Sequence, residues 1–238
     1  MVALVILPGM DGTAKPRADF IAALGPGIEA PIEAQVVSYP ADRAGYAELE
    51  ALARASLPQD RPYVLLGESF SGPIAISIAA SSPPQLIGLV LCATFARNPL
   101  TVLGSLRRLL PLIPFGLAPM RLIGAFLLGR FASAPLLEAM QSTLAEVSMA
   151  TLKARLGAVL SVDARPALSQ IRVPVLYLRA TKDRLVARRC AVAIASVLVQ
   201  TRIVDVEAPH MLLQAAPTAA ATVVRTFIEQ LAQAPARR

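Results

Sequence analysis

Six short apolar runs recur along the 238-residue chain, at 2–7, 34–39, 63–66, 86–93, 174–180 and 202–206. Turn residues close them: Pro8-Gly9 ends the first, Pro40 the second and Gly67 the third. Stretches of helical character lie between or after them, at 48–56, 73–80, 186–198 and 217–232. Strands that are apolar without alternation have to be covered on both faces. Their alternation with helices therefore predicts an α/β fold: a mostly parallel sheet of about six strands flanked by helices.

Residues 97–165 interrupt that rhythm. They are too long for an ordinary crossover and hold apolar helical pieces punctuated by Pro99, Pro111, Pro114, Pro119 and Pro135. The expected organisation is a core of 1–96 and 166–238 with a helical cap inserted at 97–165. Between Glu68 and Glu138 there is no acidic residue, yet Arg97, Arg107, Arg108, Arg121 and Arg130 fall there. A basic, apolar cap suits an anionic partner such as an acyl carrier or a membrane surface touched from outside. It equally suits solvated arginines rimming an apolar surface.

Composition removes several classes. Two cysteines, Cys92 and Cys190, make no disulfide framework, and His210 is the single histidine, so a His-rich metal site is excluded. The chain has no tryptophan and few other aromatics, which argues against a base-stacking nucleic-acid platform. The uncharged stretch 69–96 is broken by Ser81-Ser82-Pro83-Pro84, so a helix and a strand explain it better than a membrane span. The start of the chain lacks the basic region of a signal peptide. A cytoplasmic protein is expected.

The residues that carry chemistry sit where strands end. Gly67-Glu68-Ser69-Phe70-Ser71-Gly72-Pro73 joins a strand directly to a helix, the setting in which a tight turn pushes a serine Oγ into the open. Small residues are needed two before and two after the nucleophile. Gly67 fills the first position; Ser71 stands at the second, where glycine is usual. Taking Ser71 itself as nucleophile would flank it with Ser69 and Pro73, a poorer fit. A serine needs a base, and His210 follows the last strand. The base needs an orienting acid, and Asp183 follows the strand before it. Asp205 and Glu207 are the competing acids: the first lies within a strand, the second too near His210 in sequence. Leu7-Pro8-Gly9-Met10-Asp11-Gly12-Thr13 closes the first strand. A backbone amide of that loop, Met10, and the amide after the nucleophile, Phe70, are the expected oxyanion donors.

With these segments in view the chain resembles the α/β-hydrolase superfamily, over nearly its whole length. The specific parts are Leu-Pro-Gly-Met-Asp-Gly-Thr, Gly-Glu-Ser-Phe-Ser-Gly, Ala-Thr-Lys-Asp-Arg-Leu-Val and Ala-Pro-His-Met-Leu-Leu-Gln. The usual His-Gly after the oxyanion strand is replaced by Pro8-Gly9, and the family's usual first two strands are expected to be missing, since the first apolar run is the one that carries the oxyanion loop. The resemblance implies a serine hydrolase acting on carboxylic esters of small to medium acyl groups, with no metal or organic cofactor. A thioesterase, or an esterase on acyl-carrier-bound substrates, is the alternative; a non-catalytic binding protein of the same fold is a further one. The cap lies where the family places its lid. Leu106, Leu110, Phe115 and Met211 are expected to line the acyl pocket, with the arginines at its rim.

Overall fold

The computed structural model describes residues 2–25, 32–99 and 120–233. Six strands form one sheet: β1 (Val2–Leu7), β2 (Ile32–Val36), β3 (Tyr63–Glu68), β4 (Leu86–Cys92), β5 (Val175–Ala180) and β6 (Thr201–Val206). Their order across the sheet is β2-β1-β3-β4-β5-β6, and every neighbouring pair is parallel.

The pleat explains the unbroken apolar runs. Val2, Leu4 and Ile6 enter one core and Ala3, Val5 and Leu7 the other, so each face of β1 needs its own apolar set. β3 divides the same way, Val64 and Leu66 against Tyr63 and Leu65. Helices α2 (Tyr46–Ala55), α3 (Gly72–Ala80) and α8 (Arg188–Ala195) cover one face. Helices α1 (Ala18–Leu24), α9 (Leu212–Ala215) and α10 (Pro217–Gln233) cover the other. The edge strands β2 and β6 are only partly covered, which fits the polar Glu33, Gln35, Arg202 and Asp205 within them.

Two details depart from the sequence reading. β2 begins and ends earlier than 34–39, because after Val37 the chain turns aside to bond Tyr39 N to Gly12 O and bury the Tyr39 ring. Helix α1 was not expected; Phe20 and Leu24 anchor it against α10, and a window of seven residues is too short to show its period.

Between β4 and β5 the described chain forms α4 (Met120–Leu127), α5 (Ala134–Ala145), α6 (Met149–Ser161) and the short α7 (Arg165–Leu168). The outgoing and returning stems meet at an antiparallel bridge, Arg97 with Asp163, flanked by Asn98 N to Val162 O and Ala164 N to Ala96 O. The pocket candidates Leu106, Leu110 and Phe115, like Arg107 and Arg108, lie outside the described residues. No helix among the described residues is long and apolar enough to cross a membrane.

Candidate active site

β3 carries Ser69 to the C-terminal edge of the sheet, where its φ is +47°, in the left-handed region that costs a non-glycine residue strain. A 3-10 turn, Ser69–Ser71, then leads into α3. Close approach of strand and helix makes the flanking glycines necessary. A Cβ on Gly67 would lie 2.6 Å from Ala75 Cβ, and one on Gly72 would strike the side chain of Thr94. Thr94 cannot easily move, because its hydroxyl donates to Ser69 O.

Ser71 tolerates its position because its hydroxyl has work elsewhere. It is fully buried, lies 2.8 Å from Tyr39 OH and donates to Pro8 O. Burial pushes the Tyr39 hydroxyl far above its ordinary pKa, so it stays protonated as a hydrogen-bonding partner.

His210 follows β6 and is 8% exposed. Its Nε2 lies 2.7 Å from Ser69 Oγ, and its Nδ1 lies 2.8 Å from Asp183 Oδ2. Asp183 sits in the turn after β5. Its other oxygen accepts from Leu185 N at 2.7 Å and Val186 N at 2.8 Å, which fixes the carboxylate plane. The competing acids are engaged elsewhere: Asp205 pairs with Arg179 along the sheet edge and Glu207 with Arg130.

The loop after β1 is held from several directions. Pro8 O accepts from Ser71, Gly9 O from Gly12 N, Met10 O from Arg155 Nη1, Gly12 O from Tyr39 N, and Thr13 O from Arg17 Nη1. Among the described residues the Met10 N–H has no acceptor. Phe70 N lies in the first turn after Ser69, where helix geometry leaves amides unpaired.

Behind this loop sits a buried charge cluster that the sequence reading did not single out. Arg17, 1% exposed, donates to both oxygens of Asp11, at 2.7 and 2.8 Å, and to Glu68 Oε2 at 2.6 Å. Gln214 Nε2 donates to the remaining oxygen of Glu68. Burial would raise the Asp11 carboxyl, but the Arg17 charge and hydrogen bonds outweigh it and leave the group below the usual carboxylate range. A signal existed: Asp11 and Glu68 fall inside segments that must be buried, and a buried carboxylate demands a cation.

In front of Ser69 opens a cavity of about 370 Å³. Ser69, His210, Glu68, Arg17 and Gln214 contribute polar groups to its lining. Ile123, Leu127, Met140, Leu144, Leu152 and Leu156, from the helices between β4 and β5, contribute much of its apolar lining, beside Thr143 and Lys153. Met10, Phe70 and Met211 also line it. That volume lies within the range of small-molecule sites. No group of three His, Cys, Asp or Glu side chains among the described residues is arranged to hold a metal ion.

A family model described as "Alpha/beta hydrolase family" matches residues 2–223. The chain belongs to the alpha/beta hydrolase family. Its fold is shared by a hydrolase from Pseudomonas aeruginosa PA01, with a TM-score of 0.75 at 20% identity, covering 95% of this chain and 89% of that one. An enol-lactonase from Burkholderia xenovorans LB400 matches with a TM-score of 0.75 at 16% identity, covering 96% and 92%. An esterase from Exiguobacterium antarcticum matches with a TM-score of 0.77 at 15% identity, covering 96% and 92%. At these identities the likeness carries the fold alone. No curated protein sequence matches the chain. As a family member the chain is one of a superfamily of hydrolytic enzymes.

Proposed function

We propose that this chain is a serine hydrolase of carboxylic esters with small to medium acyl groups. The observation that carries the reading is the line Ser69 Oγ, His210 Nε2, His210 Nδ1, Asp183 Oδ2, with links of 2.7 and 2.8 Å. Such spacing lets His210 take the Ser69 proton as the hydroxyl attacks the acyl carbonyl. Asp183 holds the imidazole tautomer and stabilises the imidazolium. The amides of Met10 and Phe70 receive the oxyanion of the tetrahedral intermediate. His210 then returns the proton to the leaving alcohol. Water, activated by the same imidazole, releases the acid from the acyl-Ser69 ester.

The mainly apolar lining of the cavity supports an acyl substituent rather than a polar one. Among the proteins that share the fold, one is named an esterase and one an enol-lactonase. The test is a panel of p-nitrophenyl esters from acetate to laurate beside matched acyl thioesters. Turnover of the esters that vanishes in Ser69→Ala supports the reading. Faster turnover of thioesters at every chain length moves it to a thioesterase, and no turnover of either class overturns it.

A further inference from the structure

Helix α6 makes two kinds of contact. Met149, Leu152 and Leu156 recur at helical spacing and line the cavity in front of Ser69. Arg155, three residues after Leu152, lies beside that stripe and is wholly buried. Its guanidinium donates to three main-chain carbonyls: Met10 O at 2.7 Å, Pro40 O at 2.9 Å and Arg43 O at 2.9 Å. Among the described residues no carboxylate pairs with it. Gly12, with φ +76°, makes room for it: a Cβ there would lie 3.0 Å from Arg155 Nη1.

The position of Met10 makes this grip consequential. Two peptide planes flank its Cα. The plane before it bears the Met10 N–H and is held through Gly9 O by Gly12 N. The plane after it bears the Met10 carbonyl, which Arg155 holds from α6. One helix therefore forms the wall an acyl chain would touch and fixes the residue whose amide would receive the oxyanion.

We propose that Arg155 is a positioning residue that couples filling of the acyl cavity to placement of the Met10 amide. The proposal rests on the serine-hydrolase reading above. An acyl chain packed against Leu152 and Leu156 steadies α6, and α6 steadies Met10 through Arg155. Part of the binding free energy of the chain is then realised only in the transition state and raises kcat. A cavity wall with no such link would bind substrate and transition state alike and lower KM alone.

The test measures kcat and KM separately for p-nitrophenyl acetate, butyrate, hexanoate and octanoate. Wild type is compared with Leu156→Ala and Arg155→Lys, each checked for cooperative thermal unfolding. In wild type kcat/KM should rise by up to about fourfold per added methylene until the cavity fills, with a clear share of the rise in kcat. Arg155→Lys keeps the charge but not the three-way fork, and should lower kcat for octanoate by roughly 10- to 100-fold, short of losing an oxyanion donor outright. Its kcat should no longer climb with chain length, while KM still falls. Should that variant not fold, Leu156→Ala decides: the coupling predicts a kcat that no longer climbs from acetate to octanoate, whereas a wall without the link predicts a change in KM alone.

A chain-length effect confined to KM in wild type, or an equal loss of kcat at all lengths in Arg155→Lys, would overturn the coupling while leaving the hydrolase reading intact. No turnover, together with no fluorophosphonate adduct on Ser69, would overturn both.

Discussion

Arg17 Nε donates to Glu68 Oε2 over 2.6 Å, out of contact with solvent and one residue before Ser69. The same guanidinium bonds both oxygens of Asp11, one residue after Met10. A single side chain thus ties the two backbone segments that face the candidate oxyanion position. With Thr13 O accepting as well, Arg17 makes four hydrogen bonds, one from Nε, two from Nη1 and one from Nη2. Breaking a buried pair leaves an uncompensated charge and costs about 3–5 kcal/mol. Arg17→Met should therefore lower unfolding stability by that order in urea titrations. A loss below about 1 kcal/mol, the scale of a surface pair, would show that water reaches the cluster.

The same cluster predicts an acid limb to stability. Asp11 has a lower pKa folded than the ordinary aspartate value of about 3.9 in an unfolded chain. The unfolded state then binds the proton more readily, so this stabilisation is complete above the unfolded value and is lost as pH falls through the folded one. Urea midpoints measured from pH 7 down to pH 2.5 should fall more steeply below about pH 4 in wild type than in Asp11→Asn. Parallel curves would remove Asp11 from the acid response.

Ser69→Ala should abolish ester turnover, with kcat reduced by roughly 10⁴- to 10⁶-fold and the thermal midpoint little changed. A fluorophosphonate should label Ser69 alone in intact protein. An adduct located on Ser71 by mass spectrometry would displace the assignment.

Ser71 has a separate part to play. Ser71→Gly removes the hydroxyl that meets Tyr39 OH and Pro8 O, leaving a buried phenol without that partner. The expected cost is about 1–3 kcal/mol of stability with labelling of Ser69 retained. Unchanged stability would mean that the Tyr39 hydroxyl finds another partner at no cost.

Asp183 rather than Asp205 is the expected orienting acid, since Asp183 touches His210 Nδ1 and Asp205 is held by Arg179. Asp183→Asn should lower kcat by about 10⁴-fold, and Asp205→Asn by less than about twofold. Collapse of activity in Asp205→Asn with a near-normal Asp183→Asn would reverse the assignment.

Much of this is legible in the sequence. The runs at 2–7 and 63–66 are apolar at successive positions, and only a sheet buried on both faces accommodates that. The break in rhythm after residue 96 falls where α4 to α7 stand between β4 and β5. Ser69, Asp183 and His210 each follow a strand, and strands running parallel bring their C-terminal ends to one edge. Those inferences rest on local pattern and on topology that pattern implies.

Which arginines are buried was not legible, for a physical reason. An arginine is ordinarily solvated, and nothing next to Arg17 or Arg155 in sequence marks either as buried; Arg155 even lies on a helix of weak amphipathic character. Their burial rests on partners that the fold gathers: Glu68 together with the nearer Asp11 and Thr13 for Arg17, and Met10, Pro40 and Arg43 for Arg155. The same holds for the cavity, whose apolar wall comes from Met140, Leu152 and Leu156, residues that local pattern cannot tell from ordinary packing. Sequence alone determined the parallel sheet, the long helical stretch between β4 and β5 and the residue types that meet at the sheet edge, because periodicity and chain order dictate them. Tertiary structure decided which charges are buried and which helix faces the serine, because a guanidinium is stabilised by all the acceptors the fold gathers around it, and local pattern does not show that full set.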